Sequence, residues 1–353
     1  MGHPLCFNRT PFHFEWLPLV DDIGRSVLVG LVKASFRLRE RSDGPLIPLA
    51  EQLAFEPAGT TLPAEGGLCH RYEPEGVLPK PGTDLVLIGT ARAPRPGLTS
   101  FDIAFRVGRT VRQARVFGDR IWRDTGIGFA ISKPAPVDTI PLDFTRAFGG
   151  RDESALVGGH VPFEPRNPVG LGYHHPRGRP LAGSPLPNIE RTDQPIRDYL
   201  DTPEPAGFGF VGPHWQPRIR YAGTYDAAWE RDRKPWLPRD FDSRHHNAAA
   251  SGLTLERRLH GDESVTILNA SPIERLEFDL PGLANPEVHV ERRGGRRERA
   301  DTALDTIVVD TDEMVVVLYY RGLIVLPGGV HELSKLAVRI DGIDRFARLQ
   351  SVV

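Results

Sequence analysis

The chain has 353 residues, 40% of them hydrophobic and 25% charged, with a formal net charge of -2 and a pI near 6.6. That is enough for one large or two ordinary domains with a sizeable core. It excludes a globally basic surface of the kind that draws nucleic acid or an anionic membrane.

Glycine (36) and proline (33) are abundant, which favours turns and long loops over helical bundles. The two cysteines, Cys6 and Cys69, make neither a disulfide framework nor a Cys-x-x-Cys pair, so reduced thiols in a cytoplasmic protein are expected. The first residues lack the basic stretch and apolar core of a secretory signal, and the Met-Gly start lacks the Ser or Thr of a myristoylation motif. No apolar run reaches the length of a membrane span.

Taken in chain order, residues 27–38 (VLVGLVKASFRL) predict a long first strand closed by a turn at Asp43 and Gly44, with residues 46–55 as its partner. The rigid turn Lys80-Pro81-Gly82-Thr83 introduces a second apolar strand over 84–93. Phe101, Ile103, Phe105 and Val107 alternate with smaller or polar residues, the period of a half-buried strand. Gly108 and Arg109 then turn the chain into a partner over 111–117.

From about 132 to 260 proline and glycine are dense, and only 196–200 and 226–233 are helical candidates. Asp226 is expected to cap the second poorly, and Pro235 to end it. Within this region, 205–247 carries Trp215, Trp229 and Trp236 together with Tyr221, Tyr225, Phe208, Phe210 and Phe241. Such a segment is too interrupted for long ladders and too aromatic for disorder, so it predicts an ordered loop held by its side chains.

The β pattern returns at 265–268, at Leu276, Phe278 and Leu280, and at Val288 and Val290 before a basic hairpin tip over 292–297. Residues 304–309 and 314–320, joined by Asp310-Thr311-Asp312-Glu313, predict another hairpin, and 331–340 a strand or a helical turn. Strands without intervening helices argue against a parallel α/β sheet. The expected fold is mainly β: an antiparallel sandwich or open-barrel scaffold with a long loop region rich in proline, glycine and aromatics and a few short helices. Its three regions are 1–131, 132–260 and 261–353, expected to form one integrated unit.

Signatures of common enzymes are missing: no Walker loop, GxSxG elbow or HExxH. Gly207, Gly209 and Gly212 form a GxGxxG, but no apolar strand precedes it and Pro213 follows. Asp240, Asp242, His245 and His246 are the nearest approach to a metal cluster, yet turn and cap roles suit them equally. The same discount applies to His174 and His175. Cys69 and His70 are neighbours that a strand would point apart. The run 292–299 is a basic tip diluted by Glu291 and Glu298, without the interleaved aromatics of a nucleic-acid site.

An ordered series of short motifs runs through the chain: Asn8-Arg9-Thr10-Pro11-Phe12, Val32-Lys33-Ala34-Ser35-Phe36, Lys80-Pro81-Gly82-Thr83-Asp84 and Val116-Phe117-Gly118-Asp119-Arg120-Ile121-Trp122. Arg146-Ala147-Phe148-Gly149-Gly150, Asn167-Pro168-Val169-Gly170, Leu186-Pro187-Asn188-Ile189-Glu190 and Ala222-Gly223-Thr224-Tyr225-Asp226 follow, then Leu237-Pro238-Arg239-Asp240-Phe241-Asp242 and Leu304-Asp305-Thr306. This series resembles a bacterial family of domain-of-unknown-function proteins encoded beside type VI secretion components. The likeness covers nearly the whole chain and is looser over 69–79 and after Leu323.

The resemblance implies a cytoplasmic, non-catalytic accessory protein. It would act as an effector-loading chaperone or adaptor that holds an effector and helps mount it on the VgrG and PAAR spike proteins. It brings no catalytic residue and no cofactor. A motif set of Gly, Pro, Asn and aromatics fits a required loop shape better than a reaction. Trp215, Arg218, Tyr225, Trp229, Trp236, Asp240 and Asp242 are the candidate contacts, since aromatics and arginines anchor protein interfaces. The alternatives are a metal-dependent hydrolase using Asp240, Asp242 and His245, or a structural component of the secretion apparatus.

Overall fold

The strand Ser26–Arg37 is buried at every position between its two exposed ends, as its nearly continuous apolar run requires of a central strand. In the computed structural model, which describes residues 4–39, 45–65, 67–179 and 182–342, it pairs antiparallel with His13–Val20 on one side and Val315–Val325 on the other. The seven-stranded sheet built on it runs Thr254–Leu255, Thr83–Ile88, Ala303–Asp310, Val315–Val325, Ser26–Arg37, His13–Val20, with Ile47–Pro48 added beside Ser26–Arg37. The expected hairpin through Asp310 to Glu313 is present; Asp310 Oδ1 accepts from the Asp312 and Glu313 amides at 3.0 and 2.9 Å.

A five-stranded antiparallel sheet runs Ile189–Arg191, Thr110–Phe117, Ser100–Val107, Ser264–Leu268, Arg275–Asp279. The alternation read at Phe101, Ile103, Phe105 and Val107 is the buried face of Ser100–Val107. These four share one core with Leu85, Leu87, Ile307 and Val309 of the larger sheet. A four-stranded sheet joins Leu5–Asn8, Leu333–Arg339, Glu287–Arg292 and Arg297–Asp301. The architecture is thus mainly β, with several mostly antiparallel sheets, none closed into a barrel among the described residues, and few short helices.

Several expectations are corrected. Of 46–55 only Ile47–Pro48 pairs with the first strand; the long partner is His13–Val20. Thr83–Ile88 and Ala303–Asp310 pair in parallel, because the whole central region lies between them and returns the chain in the same direction. Residues 196–200 form no helix. Glu190 and Asp201 carboxylates take the amides of Ile196, Arg197 and Asp198, so the backbone donors are spent on turns. Asp226 caps Ala227–Asp232 well: it is extended, and its carboxylate accepts from the Trp229 amide at 2.8 Å. The turn expected at Asp43 and Gly44 lies outside the described residues.

The central region supplies part of the core. Phe144, Phe208, Phe210, Val211 and Ala248 belong to the same cluster as the sheet residues. A smaller cluster gathers Trp122, Phe148, Leu186 and Ile196. Cys6 is exposed and Cys69 buried, both free. Among the described residues no helix is long and apolar enough to cross a membrane.

Candidate interaction surface

The segment 205–247 is fastened to the edge of the larger sheet. The Leu87 amide donates to Phe208 O at 3.0 Å; just beyond the segment the Leu85 amide donates to Leu253 O at 2.9 Å, and the Val211 amide ties the segment to Ala248 O at 2.7 Å. Where the segment ends, Asp84 Oδ1 accepts from Asn247 Nδ2 (2.9 Å) and Thr254 Oγ1 (2.8 Å), and its Oδ2 from the Ala248 amide and Lys80 Nζ, each at 2.8 Å. Burial would raise the Asp84 carboxyl; the Lys80 charge and these donors hold it below the usual carboxylate range.

Two candidate contacts turn inward here. Trp215 is 7% exposed, edge-on to Phe144 at 5.4 Å between ring centroids. Arg218 is also 7% exposed; it donates to Val211 O and His245 O at 2.8 Å each and is ion-paired with Glu73. Both are anchors of the segment rather than surface contacts: Trp215 by packing in the core and Arg218 by satisfying two carbonyls of the irregular backbone.

The other aromatics stand outward. Tyr225 packs edge-on against Trp229 at 4.7 Å, and Trp229 Nε1 donates to Trp236 O at 2.7 Å. The Trp236 ring lies on Gly24, in the hairpin tip between His13–Val20 and Ser26–Arg37. A Cβ there would stand 3.2 Å from Trp236 Cδ2, and φ is +90°. Arg233 Nη2 donates to Leu237 O at 2.9 Å and reaches Asp22 O at 3.5 Å; His246 Nε2 lies 3.4 Å from Asp22 Oδ1. The result is a supported aromatic ridge with Tyr225 54%, Trp236 42% and the neighbouring tip residue Ile23 63% exposed. Sequence reading passed over Ile23, a lone apolar residue in a polar turn.

Asp240 and Asp242 are turn builders. Asp240 accepts from the Thr224 amide (3.0 Å) and hydroxyl (2.8 Å); Asp242 caps the short helix Ser243–His246 and accepts from the Arg244 amide and Nε, each at 2.9 Å. The Thr224 bonds hold the Asp240 carboxyl below its usual range, and those of Arg244 do the same for Asp242. Burial lowers the His245 and His246 pKa values. Among the described residues no group of three or more His, Cys, Asp or Glu is arranged to hold a metal ion.

The remaining motifs also serve packing. A Cβ on Gly207 would stand 2.2 Å from Phe144 Cζ, so the GxGxxG admits an aromatic ring. Burial pushes the Cys69 thiol up to about 11, a range in which it carries no thiolate at neutral pH. His174 stacks on Tyr199 at 3.9 Å, and the His175 amide donates to Asp152. The basic tip is balanced by acids: Arg292 pairs with Glu298, Arg297 with Glu291, and Arg299 with Glu287.

The motifs of the series meet each other in pairs. Arg120 pairs with Glu190 at 2.5 Å, and Asn188 Nδ2 donates to Asp119 at 3.0 Å. Asn167 Nδ2 donates to Phe148 O at 2.9 Å. Thr224 meets Asp240, and the Lys80 amide reaches Asp305 Oδ2 at 3.3 Å, beside the Asp305–Arg321 pair. These residue types at these spacings shape loops around one core.

A mainly β protein whose recurrent motifs specify loop geometry is therefore the class defined here. The chain belongs to the family described as an uncharacterized protein conserved in bacteria (DUF2169), whose profile matches residues 23–321. No curated protein and no solved structure matches it.

Proposed function

We propose that the chain is a non-catalytic, cytoplasmic type VI secretion accessory protein, an adaptor that holds an effector and aids its loading onto a VgrG/PAAR spike. The observation that carries the binding role is the ridge of Tyr225, Trp229 and Trp236. Large aromatics are left partly in water on a base fixed by hydrogen bonds to the hairpin tip. Aromatics held rigid before binding lose little entropy when a partner covers them, which is how a few of them come to dominate an interface. Further support comes from the ordered motif series, whose resemblance extends over nearly the whole chain. The carboxylates of Asp240 and Asp242 bond Thr224 and Arg244, which supports turn-building roles for them. The test is affinity capture on the tagged full chain in its strain of origin, read by mass spectrometry. Recovery of an effector with a VgrG or PAAR protein is expected; recovery of none of them refutes the proposal.

A further inference from the structure

His13–Val20, the outer strand of the seven-stranded sheet, pairs on one side only, with Ser26–Arg37. At the turn that continues this ladder the Asp21 amide donates to Arg25 O at 3.0 Å, and in an antiparallel ladder bonded and non-bonded pairs alternate. His13, Glu15, Leu17 and Leu19 therefore bond across to Ser26–Arg37. The far side of that strand agrees: the Leu326 amide donates to Ser26 O at 2.8 Å and the Leu38 amide to Met314 O at 2.9 Å, so its even-numbered residues serve Val315–Val325. Phe14, Trp16, Pro18 and Val20 thus turn their backbone groups to the open edge. The Trp16 amide is taken by the Glu15 carboxylate at 3.0 Å. The Phe14 and Val20 amides and the outward carbonyls meet no partner among the described residues.

The other edges of the three larger sheets are short or charged. Thr254–Leu255, Ile189–Arg191 and Leu5–Asn8 have two, three and four residues. Arg275–Asp279 (RLEFD) and Arg297–Asp301 (RERAD) set charges along theirs. Short length and charge are devices that keep a sheet from adding strands. His13–Val20 (HFEWLPLV) has eight residues, with Glu15 its one acid and no lysine or arginine. Pro18 withholds one outward donor and keeps its carbonyl. Phe14 and Trp16 pack on the main core, and Leu17 and Leu19 on the cluster of Val27, Val29 and Leu78, so the edge is held from both faces. It runs directly into the aromatic ridge: Arg233 reaches Asp22 O at 3.5 Å, and the Trp236 ring lies on Gly24.

We propose that the protein partner held by the ridge adds an extended strand to His13–Val20, its backbone pairing with Phe14, Trp16, Pro18 and Val20 and its end reaching Ile23 and Trp236. A fixed row of amides and carbonyls is matched by another extended backbone, which draws affinity from main-chain bonds and specificity from alternate side chains. Pro18 is exposed and Val20 is 44% exposed, so the added strand places apolar side chains beside them. Because the edge is rigid before binding, only the incoming strand loses conformational freedom. The inference rests on the reading of the chain as a binding protein and adds the form in which its partner is held.

The test is amide hydrogen exchange on the full chain, free and in the effector complex captured from the strain of origin. The Phe14 and Val20 amides exchange fast in the free chain and slow by about tenfold or more in the complex. Val20→Pro removes an amide that bonds nothing in the free chain, so its melting temperature stays that of the wild type while effector recovery falls by about tenfold. Leu19→Pro, whose amide faces Val27 inside the ladder, lowers the melting temperature. Equal stability of the two proline variants overturns the assignment of the outward row. A captured effector with unchanged exchange over 13–20, or undiminished recovery by Val20→Pro, overturns strand addition and leaves the adaptor reading standing. Recovery of no effector, VgrG or PAAR protein removes both. A purified chain that is dimeric by light scattering with these amides already protected shows a second copy on the edge, and overturns the proposal as well.

Discussion

Asn247 donates a hydrogen bond to Asp84 at 2.9 Å across 163 residues of sequence, joining the end of the aromatic segment to the edge of the main sheet. Asp84 is fully buried and shares its other oxygen between Lys80 and the Ala248 amide. One carboxylate therefore closes the turn Lys80-Pro81-Gly82-Thr83 and clamps the segment that carries the ridge.

Removing that charge leaves Lys80 buried without a partner. Asp84→Asn is expected to destabilise the chain by about 3–5 kcal/mol in denaturant unfolding. Lys80→Met combined with Asp84→Leu should cost less than the sum of the two single changes, because the paired loss leaves no orphan charge. Strict additivity would show that the two do not act as a pair.

The two tryptophans Trp215 and Trp236 should separate stability from binding. Trp215→Ala empties a site in the core and is expected to cost about 3–5 kcal/mol. Trp236→Ala truncates a half-exposed ring on Gly24 and should cost less than about 1 kcal/mol. Unfolding curves of the two variants, measured side by side, check the ranking.

Acid should loosen the segment in two stages. His245 and His246 have depressed pKa values because burial penalises the charged ring, so they favour the folded state above the unfolded histidine pKa of about 6.5. That contribution is lost as pH falls through their lower folded values. The depressed Asp84 carboxyl adds stability above about pH 3.9, the unfolded aspartate value, and withdraws it below. Melting temperatures from pH 8 to 3 should fall first below about 6.5 and again below about 4. His245→Gln with His246→Gln should flatten the upper step.

Thiol titration offers a fold check. Cys6 is exposed, whereas Cys69 is 1% exposed with its thiol pushed up to about 11. A native-state reagent should label one thiol at neutral pH, and denaturant should release the second. Two fast thiols in the native chain would contradict the burial of Cys69 in the strand Gly67–Tyr72.

Much of the scaffold was legible because its signals are local. The run through Val27 and Phe36, the alternation at Phe101 to Val107 and the turn through Asp310 each declare a strand or hairpin within ten residues. Pairing was not legible: the partner of Ser26–Arg37 is His13–Val20, whose Pro18 weakens its strand signal. The parallel match of Thr306 with Asp84 spans the whole central region. At the candidate site, the spacing of Asp240 and Asp242 to Thr224 and Arg244 permitted the turn reading, and the geometry agrees with it. Which aromatics face water could not be read from composition, since Trp215 and Trp236 stand in equally irregular sequence.

The central claim, the proposed adaptor role, is best tested by quantifying capture of secretion effectors from the strain of origin by the full chain, wild type against Tyr225→Ala with Trp236→Ala. The account predicts that the wild type retains the effector and that the double variant, folded and equally stable, binds at least about tenfold more weakly. Undiminished capture by the double variant, or no capture by the wild type, would contradict it.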